Sequence, residues 1–103
     1  MESESTVVDR AISALSVRCV YETASRQFEL RSLLPVADWR PFKADWWRGK
    51  EMCLVGEDTL GNQLFRHCDG TVRFWDRRSR DLEVIAPSVR AFVAGIRPSR
   101  STG

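Results

Sequence analysis

Residues 52–92 decide the fold: Met52-Cys53-Leu54-Val55-Gly56, then Glu57-Asp58-Thr59-Leu60-Gly61-Asn62, then Gln63-Leu64-Phe65-Arg66-His67-Cys68, Asp69-Gly70, Thr71-Val72-Arg73-Phe74-Trp75-Asp76, and, past a charged stretch, Leu82-Glu83-Val84-Ile85-Ala86-Pro87-Ser88-Val89-Arg90-Ala91-Phe92. Apolar runs rich in β-formers alternate with Gly-containing or Asp-Gly punctuation, and a helix start closes the stretch. The pattern predicts a meander of strands followed by a helix. Asp69-Gly70 is the sharpest signal: both residues tolerate positive φ, so a two-residue type I′ hairpin is expected. That hairpin sets Arg66 opposite Arg73, Phe65 opposite Phe74 and Leu64 opposite Trp75. Because strand residues alternate faces, Phe65, His67, Val72 and Phe74 would form the core face. Leu64, Arg66, Cys68, Thr71, Arg73 and Trp75 would form the other, either solvated or an Arg66/Arg73/Trp75 contact patch.

Upstream, Thr6-x-x-Asp9 reads as a capping box, and Val8, Ala11, Ile12 and Leu15 fall at helical spacing, so a helix is expected over residues 6–15. Val17 to Glu22 alternates as a strand. Thr23 to Arg26 is a polar turn, after which Phe28, Leu30 and Leu33 continue as a strand or short helix. Between Leu34 and Lys50, Pro35 and Pro41 break regular structure, while Trp39, Phe42, Trp46 and Trp47 need something to pack on. They form either a satellite cluster over the sheet or an exposed surface with Trp46 and Trp47 as anchors. The strand from Met52 to Val55 is expected to end at Gly56, with Glu57 and Asp58 as an acidic turn. Pro87 opens the last helix, in which Val89, Phe92, Val93 and Ile96 keep helical spacing. Together these predict a single α+β domain over residues 6–96, an antiparallel meander sheet with an N-terminal and a C-terminal helix. Residues 1–5 are expected to be disordered and residues 97–103 to be a flexible tail.

A chain of 103 residues holds one core. Its 16 basic and 14 acidic residues are interspersed, and a net charge of +2 is too small to indicate nucleic acid. The start Met1-Glu2-Ser3-Glu4-Ser5 is unlike a secretory signal, and no run is apolar enough for a membrane span, so a cytoplasmic protein with no membrane partner is expected. Cys19, Cys53 and Cys68 are odd in number and lack Cys-x-x-Cys spacing, which argues against a disulfide framework. His67 and Cys68, as neighbours in a strand, would point to opposite faces, so neither a metal site nor a Cys/His nucleophile pair is expected. Gly56 to Gly61 precedes no helix and lacks the Lys-Ser/Thr of a phosphate loop. No cofactor is implied and no catalysis is expected. Arg66, Arg73, Arg77, Arg78 and Arg80 among aromatics could stack and hold nucleic acid, but Asp69, Asp76, Asp81 and Glu83 lie between them and would repel phosphate.

Three segments carry a resemblance. Leu54-Val55-Gly56-Glu57-Asp58 through Gly61-Asn62, the hairpin Asp69-Gly70 returning into Phe74-Trp75-Asp76, and Ile85 to Phe92 are together similar to the carboxy-terminal half of the SUKH superfamily, which includes Smi/Knr-type regulators and bacterial immunity proteins. Pro87 stands where that family often has Asp, and Val89 where it often has Phe. The stretch before Leu54 lacks the family's longer helical entry, so the chain resembles a short or divergent member. The resemblance implies an α+β fold, no catalysis, and neutralisation of a cognate toxin, such as a nuclease or deaminase, by direct binding and active-site occlusion. On that reading Trp46, Trp47, Glu57, Asp58, Arg66, Arg73 and Trp75 contact the partner, and an open sheet edge leaves room for a homodimer. The alternative is a nucleic-acid-binding or regulatory adaptor.

Overall fold

A computed structural model describes residues 2–99. Helix α1 (Glu4–Ala14) leads into strands β1 (Cys19–Glu22), β2 (Gln27–Leu33), β3 (Met52–Asp58), β4 (Gln63–His67), β5 (Val72–Asp76) and β6 (Asp81–Ala86), then helix α2 (Val89–Gly95) and a two-residue strand β7 (Arg97–Pro98). All strand pairs are antiparallel, in the order β6-β5-β4-β3-β2-β1-β7. The fold is the expected α+β meander with a helix near each end. No helix among the described residues is long and apolar enough to cross a membrane.

Local chemistry fixes the element ends. Helix α1 starts before Thr6, because Ser3 is the cap: its hydroxyl accepts from Thr6 N at 3.1 Å, and Glu4 lies in the first turn, where the helix dipole favours an anion. Residues expected to be disordered thus belong to the helix and its cap. The turn between β1 and β2 manages without glycine because Thr23 Oγ1 accepts from Ser25 N and Arg26 N, while Thr23 N donates to Arg26 O at 2.8 Å. Strand β3 does not stop at Gly56. It bulges against β4 just before that glycine, between Leu54 and Gly56, while β2 has its own irregularity between Leu30 and Ser32, and a Cβ on Gly56 would lie 2.4 Å from Ser32 O. Pro87 precedes α2 rather than opening it; Ser88 is the cap and accepts from Ala91 N. Of the expected tail, Arg97 and Pro98 pair with Val20 and Cys19, and Ser99 N donates to Arg18 O. Residues 100–103 and Met1 lie outside the described residues.

The Asp69-Gly70 hairpin has a register one residue away from the expected one. Gly70 N donates to His67 O and His67 N to Thr71 O, Gly70 has φ +92°, and Asp69 is not in the left-handed region. This is a three-residue loop closed by a glycine bulge, the next commonest hairpin after the two-residue form. Leu64 therefore faces Phe74, Arg66 faces Val72, Phe65 faces Arg73 and Gln63 faces Trp75. A slip of one residue exchanges every side chain between faces. The face under the helices is Leu64, Val72 and Phe74, joined by Phe28, Leu30, Leu33 and Val55 and covered by Val8, Ala11, Val89 and Phe92.

The sheet curls until its distant strands meet. Tyr21 Oη on β1 donates to Ile85 O on β6 at 3.0 Å, and burial pushes that phenol's pKa up. Phe28 on β2 lies 4.7 Å from Phe74 on β5, centroid to centroid. Arg26, at the start of β2, donates to Glu83 Oε2 (2.9 Å) and to Asp76 Oδ2 (3.2 Å), and its guanidinium lies 4.4 Å above the Phe74 ring. Burial alone would lower Arg26, but the hydrogen bonds to Glu83 and Asp76 outweigh it and hold the cation above its ordinary value. This clasp ties the first hairpin to the last.

Candidate binding surface

Among the described residues, no helix lies on the face turned away from α1 and α2. The connection between β2 and β3 covers part of it: Phe42 N donates to Met52 O at 2.7 Å, and Pro41 bridges to Cys53. Phe42 thereby sets its ring edge-on to Phe65 at 4.7 Å. Phe65, Met52 and His67 beneath it are buried. Farther out, Trp46 lies flat on Trp75, with ring centroids 4.3 Å apart and planes 13° from parallel, and Trp47 meets Trp46 edge-on at 6.2 Å. Trp47 Nε1 donates to Lys50 O at 3.0 Å, which closes the loop on itself. The aromatic loop divides between packing and exposure. Phe42 is a cover for the sheet, and Trp46, at 44% exposure, is a surface residue.

The register decides which expected site residues meet. Trp75 and Arg73 share the aromatic face, with Trp46 and Trp47 laid against it. Glu57, paired with Gln63 across from Trp75, is on the same face two strands over and belongs to β3 rather than to a turn. Arg66 is on the opposite face beside Val72, so the expected Arg66/Arg73 pair does not exist; its Nε is buried with no hydrogen-bond partner. Asp58 is no acidic tip. It is 1% exposed, its Oδ1 accepting from Leu60 N and Asn62 N and its Oδ2 from Asn62 Nδ2. Arg73 is held by Asp69 Oδ2 (2.9 Å) and Thr71 Oγ1 (3.2 Å). The Thr71 hydroxyl and amide, with Arg73 and His67, hold the Asp69 carboxyl well below the usual carboxylate range. No family model, no curated protein and no solved structure matches the chain.

Sequence reasoning missed Leu82 and Val84. They pair with Trp75 and Arg73, and they extend the aromatic face to the edge strand β6, where Val84 is 51% exposed. Their two-residue spacing was the available signal. It also missed the closeness of His67 and Cys68. Cys68 sits in the longer turn, not the strand, and its Sγ is 3.7 Å from His67 Nδ1, which also accepts from Asp69 N at 3.3 Å. His67 is 6% exposed under Phe42's loop. Among the described residues no three His, Cys, Asp or Glu side chains converge as metal ligands.

Proposed function

We propose that this protein is a cytoplasmic immunity-type binding protein, which neutralises a cognate bacterial toxin by direct binding and occlusion of its active site, without catalysis of its own. The aromatic sheet face is its docking surface. The observation that carries this is the Trp46 ring stacked at 4.3 Å on Trp75 while still 44% exposed. Trp is enriched among residues that dominate interface energetics, and rings already fixed by stacking lose little freedom on binding. Leu82, Val84 and Trp47 widen the apolar surface, and Glu57 and Arg73 give it polar neighbours, the composition of an interface core with a rim. The resemblance of Leu54 to Phe92 to the SUKH superfamily supports the partner class. Three free thiols agree with a reducing compartment. Arg66 and Arg73, two of the basic residues of the adaptor reading, lie on opposite sides of the sheet.

The test is neutralisation. A toxin that co-purifies with this chain from its native host is expressed in cells with the wild-type chain or with Trp46→Ala/Trp75→Ala. The wild type is expected to protect growth and silence the purified toxin; the variant is expected to bind at least roughly 30-fold more weakly, as loss of a central Trp anchor implies. A folded double variant that protects equally well would place the docking surface elsewhere. A wild type that self-associates through Trp46 in sedimentation, without affinity for toxin, would make a second copy of this chain the occupant.

A further inference from the structure

The curl that brings β2 to β5 and β6 also gathers the turns after β1, β3 and β5 round one end of the sheet. Between them opens a recess of about 650 Å3, within the range of small-ligand sites and at the mouth of a nearly closed sheet, where such sites recur. Phe28 and Phe74 are buried beneath it, Phe74 under the Arg26 guanidinium, and Leu60, 74% exposed, gives the recess its open apolar wall.

Its chemistry follows from removing the polar groups that are already satisfied. Both oxygens of Asp58 are taken up within its own turn by Leu60 N, Asn62 N and Asn62 Nδ2. Asp76 spends Oδ1 on Arg78 N and Ser79 N, and Oδ2 on Arg26. Arg26 is divided between Asp76 and Glu83. The guanidinium groups of Arg77 and Arg78 remain, and among the described residues neither forms an ion pair. Arg77 is placed at the mouth: its backbone N donates to Asn62 Oδ1, and its Nη1 would lie 2.8 Å from a Cβ on Gly61. Two unpaired guanidinium forks at neighbouring positions match a doubly charged oxyanion, and the exposed Leu60 side chain matches a carbon body attached to it.

We propose that this recess binds a small organic phosphate, a phosphomonoester whose dianion sits between Arg77 and Arg78 and whose apolar body lies against Leu60. The site is separate from the aromatic face, so either can fail without the other. Phenyl phosphate titrated into the labelled protein at pH 7.5 is expected to move the amide signals of Gly61, Asn62 and Arg77 in NMR spectra. Arg77→Ala/Arg78→Ala is expected to weaken the dissociation constant at least roughly tenfold, as loss of charge-assisted hydrogen bonds implies. Benzoate and inorganic phosphate, each lacking half of the match, are expected to bind more weakly. Lowering the pH to 5 should weaken phenyl phosphate too, because a phosphomonoester loses its second charge near pH 6 or so. The proposal is overturned if no signal moves, if the double variant binds equally well, if benzoate equals phenyl phosphate, or if the perturbed signals cluster at Trp75. Both arginines are exposed, and an unchanged near-ultraviolet circular dichroism spectrum will show that the variant is folded.

Discussion

Gly56 and Gly70 occupy turns and bulges for different reasons, and substitution separates them. Gly70 has φ +92° and open space about a would-be Cβ, so Gly70→Ala carries only conformational strain, about 1 kcal/mol of stability in a denaturant titration. At Gly56 a methyl group would collide with the Ser32 carbonyl of the next strand, so Gly56→Ala should cost more, about 2 kcal/mol or above, by pushing β2 and β3 apart. Arg80 is the converse case. It is exposed in the left-handed region at φ +61°, and Arg80→Gly is expected to stabilise the protein by about 0.5–1 kcal/mol in the same measurement. Asp58 illustrates how a residue's exposure escapes composition. In sequence it is half of an acidic pair in a Gly-containing turn, but a carboxylate two residues before an amide it can accept from tends to fold the turn around itself. Asp58→Ala would leave three donors without their acceptor, a loss of about 2–4 kcal/mol on thermal or chemical unfolding.

At the scale of elements, the clasp of Arg26 with Asp76 and Glu83 predicts the direction of pH dependence. Backbone hydrogen bonds from Arg78 and Ser79 together with Arg26 lower the Asp76 pKa, and Ser25 and Arg26 lower that of Glu83, from ordinary values of 3.8 and 4.5. A depressed folded-state pKa means that the unfolded chain takes up protons first, so the stabilisation is complete above those ordinary values and is lost as pH falls through the folded ones. Stability followed by urea midpoint should therefore be insensitive to these groups from pH 7 to about 5 and fall below about pH 4, and Asp76→Asn/Glu83→Gln should flatten that fall. The elements themselves were largely legible in the sequence, because turn chemistry at Thr23, Gly61 and Asp69-Gly70 separates strands and helical spacing marks both helices, although the caps are Ser3 and Ser88 rather than Thr6 and Pro87. The hairpin register was not. Asp-Gly serves both a two-residue and a three-residue loop, and alternation decides between them only when one face is wet. Here both faces carry apolar residues, Leu64 and Phe74 on one and Phe65 and Trp75 on the other, so either register reads as a core. Half of the site hung on that residue: it kept Trp75 with Arg73 and sent Arg66 to the far side.

For the molecule as a whole, curling of the sheet is the organising event, and no local signal announces it. Tyr21 and Ile85 are 64 positions apart in the chain, and their hydrogen bond records a closure that no motif marks, in a sheet whose register is irregular between Leu54 and Gly56 and again between β5 and β6. Tyr21→Phe removes that bond while keeping the ring contact with Phe92, and is expected to lower stability by about 1 kcal/mol, read as a shift in the urea midpoint with an unchanged slope. The closure puts the turns after β1, β3 and β5 at one end and the loop bearing Cys68 at the other. Cys68 is exposed, whereas Cys19 is buried and Cys53 partly covered. A maleimide dye offered briefly at neutral pH should thus attach first to this one sulfur, giving a single-point reporter fixed to a rigid strand pair, remote from the arginine-lined mouth, without any cysteine having to be engineered in.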